Sequence, residues 1–416
     1  MTTDTRGTLT LFLGMAFLMV SNGLLATLLT LRGAALGFDD ASIGLMQSAY
    51  PLGALFGCFY APKLVVVSGH ARSFAALASI ASTASLVHLV TSDPWSWSAM
   101  RGLSGFCFAG LYVVAESWLN GQASNHNRAS LLSVYFIIQS GGIAAGQALL
   151  NLSSPDGPQL LVLVSILISL ALVPLLLVAR DAPQFEVPER VSLPELFRIS
   201  PMGLSGSFLN GISQGALYIG LALYGTAVGL QPGTVGALVG ACTVGCMIAQ
   251  FPIARLSDRV DRRLVILGCA GLSLPLCLFL SVSSGGAAPA AVLIAGVAGL
   301  GGLVLPIYSL CVAHANDHLR PSQIVAASGT LVLVFNGGIV LGPALSAYAL
   351  QFFGPSGIFL FIGSVQALTV AAALYRLWRG PARPDAPGKA VALPQAATPY
   401  STHLNPDAAE THGSED

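Results

Sequence analysis

Long apolar runs follow one another along this chain, separated by short polar breaks. A helix that crosses a bilayer needs about 20 mostly apolar residues. Twelve runs reach that length: 8–30, 42–64, 72–92, 96–120, 129–152, 159–179, 203–226, 233–254, 263–283, 288–312, 323–350 and 357–378. The breaks carry helix punctuation. In "TSDPW", Asp93 is placed to cap span four and Pro94 fits its first turn, while Trp95 and Trp97 suit a membrane interface. The run at 8–30 is too long, and its flank "MTTDTRG" too weakly basic, for a cleaved signal, so it reads as a retained span. The pattern predicts an all-α integral membrane protein with 12 transmembrane helices.

Two polar stretches interrupt it. Residues 180–200, "RDAPQFEVPERVSLPELFRIS", divide six spans from six, and "SLPELFR" suits a short interfacial helix. Residues 380–416, rich in Pro, Ala and polar types, read as a disordered cytoplasmic tail. The expected organisation is a six-helix bundle over 1–179, a cytoplasmic linker over 180–200, a second bundle over 201–379 and the tail.

Composition agrees with a lipid-facing surface. Only 9% of the 416 residues are charged and 54% are hydrophobic, against about 25% charged in soluble domains. Net charge is zero, with 18 Lys+Arg and 18 Asp+Glu, which argues against a nucleic-acid partner. The seven cysteines all lie in or beside apolar runs. With no His or second Cys pair beside them they read as small core residues, not metal ligands, and say nothing about redox compartment.

Charge does fix direction. Placing both termini in the cytoplasm puts sixteen of the eighteen basic residues on that side, as the positive-inside rule requires. Arg32, in the first outer loop, and Arg101, inside span four, are left over.

The two halves repeat. A shift of 196 lays residues 110–149 on 306–345 without a gap: Tyr112 meets Tyr308, Asn120 meets Asn316, and Gly141-Gly142-Ile143 meets Gly337-Gly338-Ile339. Gly105 then meets Gly301. A shift of 192 pairs Gly44 with Gly236, Gly53 with Gly245 and Lys63 with Arg255. Parallel six-span repeats that rock about a central site are a transporter plan.

The loop "ARLSDRVDRR", 254–263, resembles the signature of the major facilitator superfamily (MFS), small-x-x-x-Asp-Arg-x-Gly-Arg-Arg. Asp258, Arg259, Arg262 and Arg263 fit it, and Asp261 replaces the usual Gly. The matching first-half loop, "PKLVVVSGHAR", keeps Gly69 and ends on Arg72, but has Val66 where the acid should be. "RGLSG", 101–105, resembles the family's Arg-x-x-x-Gly motif of span four. The stretch 101–135 is similar to the YcaD-like branch, with its apolar-Glu-Ser segment and Asn-Arg loop. The antiporter motif Gly-x-x-x-Gly-Pro is not met in span five, where Gln147 stands for Pro; "GIVLGP" occurs in span eleven instead. The resemblance implies a bacterial inner-membrane permease in which Asp258, Arg259, Arg262, Arg263, Gly69 and Arg72 form a cytoplasmic gate.

Of the 18 acids, Glu116 alone lies inside a predicted span. Ionisable groups there usually face the bundle interior or a water-filled cavity. At 100° per residue it shares a helix face with Arg101, Gly105 and Tyr112. Three roles stay open for Glu116: a gating partner for Arg72 or Lys63, a protonation site, or a group reaching interfacial water without a role. Arg101 either snorkels outward or lines the cavity, where it would attract an anionic substrate group or help expel a proton. The resemblance puts spans one, four, seven and ten around the cavity, which favours Asn22, Tyr112, Asn210, Gln214 and Tyr308 over Gln47, Tyr50, Gln139, Gln147, Tyr218 and Asn336.

The reading is a monomeric secondary transporter of a small solute by alternating access, with no cofactor beyond a coupling proton gradient. The rival is a non-transporting assembly or interaction protein on the same scaffold, handling a pigment or lipid. An enzyme is not expected, since no nucleophile–base pair, phosphate loop or metal set is present.

Overall fold

A computed structural model describes residues 3–122, 127–178, 191–284, 289–320, 323–379 and Thr398. Its elements are helices: α1 Thr3–Ala35, α2 Asp40–Ser68, α3 His70–Val87, α4 Pro94–Gln122, α5 Arg128–Ala148, α6 Gln159–Val178, α7 Leu193–Ile199, α8 Pro201–Ala227, α9 Pro232–Arg259, α10 Arg262–Ser283, α11 Ala290–Val304, α12 Ile307–Asn316, α13 Ile324–Phe353 and α14 Ser356–Arg379. Among the described residues there is no strand.

Ten spans are long and apolar enough to cross a membrane, with α11 and α12 counting as one. The other two crossings are α3 and α8. At 18 residues α3 is about 27 Å long. The 27 residues of α8 bury Ser207, Asn210, Ser213 and Gln214 against other helices, so its inward face dilutes an apolar signal that a lipid-facing helix would show in full. Short α7 occupies the "SLPELFR" stretch, and Ser192 stands at its N-cap. The expected linker is described from Val191 onward; of the expected tail only Thr398 lies within the described residues.

Polarity is inverted relative to a water-soluble fold. Leu, Ile and Phe side chains such as Ile248, Leu272 and Phe352 face outward, while Gln139, Gln147, Thr243 and Gln366 are fully enclosed. Lipid takes the place of water around such a surface, and interior polar groups bond between helices. Gln366 Nε2 donates to Ser213 Oγ at 2.8 Å, tying α14 to α8. Gln47 Nε2 donates to the Ala26 carbonyl at 2.9 Å, tying α2 to α1. All seven cysteines are buried free thiols.

The repeat seen in the sequence recurs as geometry. A Cβ on Gly105 of α4 would strike the Tyr50 carbonyl oxygen of α2; one on Gly301 of α11 would strike the Cys242 carbonyl oxygen of α9. These four residues match pairwise under the two sequence shifts. The chain is therefore two pseudo-symmetric six-helix bundles whose helices cross where a side chain cannot fit.

One departure from symmetry concerns the fourth helix of each half. α4 runs unbroken for 29 residues, whereas its counterpart stops at Val304 and resumes at Ile307 across Leu305-Pro306. Proline lacks the N–H that would continue the ladder. Within the break the Val304 carbonyl accepts from Asn210 Nδ2 at 2.7 Å.

Candidate functional site

A cavity of about 160 Å³ lies between the halves. It is walled by α1, α2, α4 and α5 from one half and by α8, α9 and α13 from the other. Asn22, Gln47, Tyr50, Arg101, Tyr112, Gln147, Gln214, Tyr218 and Asn336 supply its polar groups, and Ala54, Ile143, Ile219, Ile339 and Pro343 much of its apolar wall.

Away from the end where α1 begins and α14 finishes, small residues seal the two halves together. Gly44, in the first turns of α2, packs on Pro343, Ala344 and Ala347 of α13. The Ala344 N–H donates to Ser48 Oγ at 3.2 Å. On the other flank Gly236 of α9 sits on the Gln147 carbonyl of α5, while Gln147 Nε2 reaches across to the Gly23 carbonyl at 2.6 Å. Gln147 thus stands at the seam where the antiporter motif would have proline.

Arg101 is 2% exposed and lines the cavity. Its guanidinium carbon lies 4.4 Å from the centre of the Tyr50 ring. Its Nε and Nη1 are buried and donate to no acceptor. Next to it, Asn22 Nδ2 donates to Tyr112 Oη at 3.1 Å, and the Phe108 ring stands 6.2 Å from Tyr50 and 6.1 Å from Tyr112.

Glu116 is fully buried further along α4, towards its C-terminal end. It accepts from Tyr135 Oη at 3.0 Å and from the Thr398 hydroxyl. Thr398 lines the cavity although Glu116 itself does not. Among the described residues no ion pair joins Glu116 to Arg72, which is exposed, or to Lys63, which lies over the Tyr60 ring.

The candidate set divides on placement. Asn22, Arg101, Tyr112 and Gln214 converge on the cavity. Asn210 and Tyr308 do not: Asn210 holds the break between α11 and α12, and Tyr308 stacks on Phe335 with centroids 4.0 Å apart and its hydroxyl without a partner. Gln47, Tyr50, Gln147 and Asn336 do line it, because spans two, five and eleven close the cavity as fully as spans one, four and seven; Tyr218 joins them from span seven. Their polarity inside apolar runs was the available signal.

At the end where α1 begins and α14 finishes, Arg262 is the hub of a buried charge cluster. Its Nε lies 2.6 Å from Asp317 Oδ2 and its Nη2 3.3 Å from Asp317 Oδ1, with Nη1 3.1 Å from Ser257 Oγ and 3.5 Å from Asp258 Oδ1. Asp317, just past α12, went unremarked in the sequence because it falls outside the span. Asp261 caps α10 and pairs with Arg263 at 2.7 Å, and Arg263 Nη1 donates to the Arg376 carbonyl of α14 at 3.2 Å. Burial alone would push Asp261 up, but hydrogen bonds and charge from Arg263 hold its carboxyl below the ordinary 3.8. Arg259 ends α9. In the first half Gly69 turns the chain with φ +79, a conformation that favours glycine, and His70 Nε2 lies 2.9 Å from Ser117 Oγ.

Comparison with known proteins gives a consistent result. The family model described as Major Facilitator Superfamily matches residues 11–201 and 203–408. A Salmonella arizonae protein, uncharacterized MFS-type transporter YcaD, is 29% identical over 368 residues, covering 88% of this chain and 94% of that one. Its Salmonella typhimurium counterpart is 28% identical over the same length. The crystal structure of nucleoside transporter NupG superposes with a TM-score of 0.70 over 91% of this chain and 99% of that one. The human organic anion transporter MFSD10 does so with 0.62 over 90% and 100%. Both are 14% identical to this chain and bear on fold alone.

Proposed function

The chain belongs to the major facilitator superfamily, a family of membrane transporters, and from that premise we propose that it carries a small solute across a bacterial inner membrane by alternating access. The observation that carries this reading is the position of the cavity. It lies between two pseudo-symmetric halves, closed on one side by the small-residue seam of α2 with α13 and α5 with α9. With both termini cytoplasmic, that seam is on the outer side. The Arg262–Asp317 cluster then lies at the cytoplasmic edge.

The seam and the latch exclude each other as the halves rock. Parting α2 from α13 exposes Arg101 and the cavity to the outside. Closing the opposite end brings the charged loop of α9 and α10 against the neighbouring half. Glu116 is the acid placed to couple this cycle to a proton, since it sits between the cavity and the cytoplasmic edge and shares a proton-bearing contact with Tyr135.

Flux into proteoliposomes tests the reading. Any solute that thermally stabilises the purified protein is expected to cross protein-containing vesicles faster than empty ones. A stabilising solute that shows no protein-dependent flux overturns transport and favours the assembly-protein alternative. Glu116→Gln is expected to remove the pH dependence of that flux while leaving flux itself measurable; unchanged pH dependence rejects the coupling role.

A further inference from the structure

Three arginines are buried among the described residues: Arg101, Arg262 and Arg263. Two are satisfied by carboxylates. Arg32, the other basic residue away from the basic side, is occupied as well: its Nη1 donates to the carbonyls of Pro155, Asp156 and Gly157 at 3.1, 2.9 and 2.7 Å. Arg101 differs from all of these. Its titratable neighbours are Tyr50, Tyr112 and His88. Among the described residues no Asp or Glu lines the cavity.

Taking an ion out of water without a partner costs several kcal/mol. The Tyr50 face returns about 2 kcal/mol at a desolvated site, which leaves most of that cost standing. A guanidinium in this state is matched best by a planar anion, which it can hold through two parallel hydrogen bonds. A single positive charge with no second cation on the wall among the described residues matches a single negative charge. This disfavours a phosphate dianion.

The rest of the wall defines the body of the ligand. Four of the five amide side chains on the wall already donate within the protein: Asn22 to Tyr112, Gln47 to Ala26, Gln147 to Gly23 and Asn336 to Val332. The apolar side chains of the wall include Ala54, Ile143, Ile219, Ile339 and Pro343. The free volume of about 160 Å³ is similar to the roughly 150 Å³ apolar cavity that accepts benzene.

We propose that the cavity binds a small monocarboxylate with an apolar body about the size of a benzene ring, its carboxylate on Arg101 and its body against the Ile143, Ile219 and Ile339 wall. This deepens the transport reading and rests on it for its physiological meaning. The binding itself does not require flux.

The test uses the purified full-length protein and four probes: benzoate, benzamide, benzylamine and acetate. Benzoate is expected to bind at least about tenfold more tightly than each of the others, a difference of about 1.4 kcal/mol. Benzamide keeps the shape without the charge, benzylamine reverses the charge, and acetate lacks the body. A smaller preference over any of the three overturns the proposal. Arg101→Gln is expected to lose the benzoate preference and Arg101→Lys to keep part of it. A folded Arg101→Gln that still prefers benzoate by tenfold also overturns it. Should that variant not fold, the comparison on the native protein decides alone. Benzoate binding without benzoate flux removes transport and leaves the site. Flux of other solutes without a benzoate preference removes the site and leaves transport.

Discussion

In the C-terminal half, Arg262 reaches from the start of α10 to Asp317 at the foot of α12. The matching position in the N-terminal half, 192 residues earlier, is His70, which reaches Ser117 on α4 and sets its ring edge-on to Trp118 at 5.8 Å. The same two helices are tied at the same end, once by opposite charges and once by a neutral hydrogen bond. Midway through the membrane the assignment reverses. Arg101 and Glu116 lie inside the N-terminal bundle, and the positions 196 residues later are Val297 and Val312. At these matched positions each half therefore keeps a charged side chain where the other has an uncharged one. The backbone plan tolerates this because it is fixed by glycine crossings and apolar packing, so the polar groups were free to diverge.

The sharpest way to break this contrast is to remove one acid. Asp317→Ala leaves Arg262 buried without its nearest carboxylate and is expected to cost about 3–5 kcal/mol, read as a lower melting temperature in detergent. The more exposed Asp258, 3.5 Å from Arg262, should cost clearly less as Asp258→Asn and mainly slow cycling. Equal losses for the two would place the hub wrongly.

Packing should show the opposite of contrast. Gly105→Ala and Gly301→Ala each force a methyl group into a facing carbonyl, and each should lose about 1–3 kcal/mol. A large loss at one and none at the other would mean that the crossings are not equivalent. Ser117→Ala probes the neutral tie and is expected to cost about 1 kcal/mol, well under the Asp317 variant.

The smallest effect is a pH dependence. The folded carboxyl of Asp261 is held below its ordinary value, so its contribution is present above pH 3.8 and is lost as pH falls through the lowered folded value. The difference in melting temperature between the native protein and Asp261→Asn should be constant at higher pH and shrink only in that acid range. A difference that changes near neutrality would reject the Arg263 pairing as its source.

The fold was legible because lipid demands it. Runs of about 20 apolar residues and glycines at fixed shifts are direct imprints of bilayer thickness and helix crossing. Even so, α8 reads weakly, since the interior it faces is polar. The site was legible in part. Arg101, Asn22, Tyr112 and Gln214 stand out as polar residues in apolar runs, and so do Tyr308 and Asn210, which packing consumes elsewhere. Periodicity tells which face a residue shares, but not which of two polar groups on neighbouring helices will reach a cavity. Asp317 stayed hidden because its partner is 55 residues away and it lies just beyond a span. Thr398 stayed hidden because a polar tail carries no periodic signal that would place one of its residues against Glu116.

The broken crossing in the C-terminal half has a mechanical consequence. Below the joint at Leu305-Pro306, α12 is a strut of ten residues, about 15 Å long, with Asp317 at its tip. Asn210 ties α8 to the last residue of α11, just above the joint, through the Val304 carbonyl. The joint lets α12 pivot against α11, and the Asn210 bond holds α8 at that pivot while Asp317 meets Arg262 at the far tip. The N-terminal half has the unbroken α4 rod in that place, so the pivot exists on one side of the molecule alone.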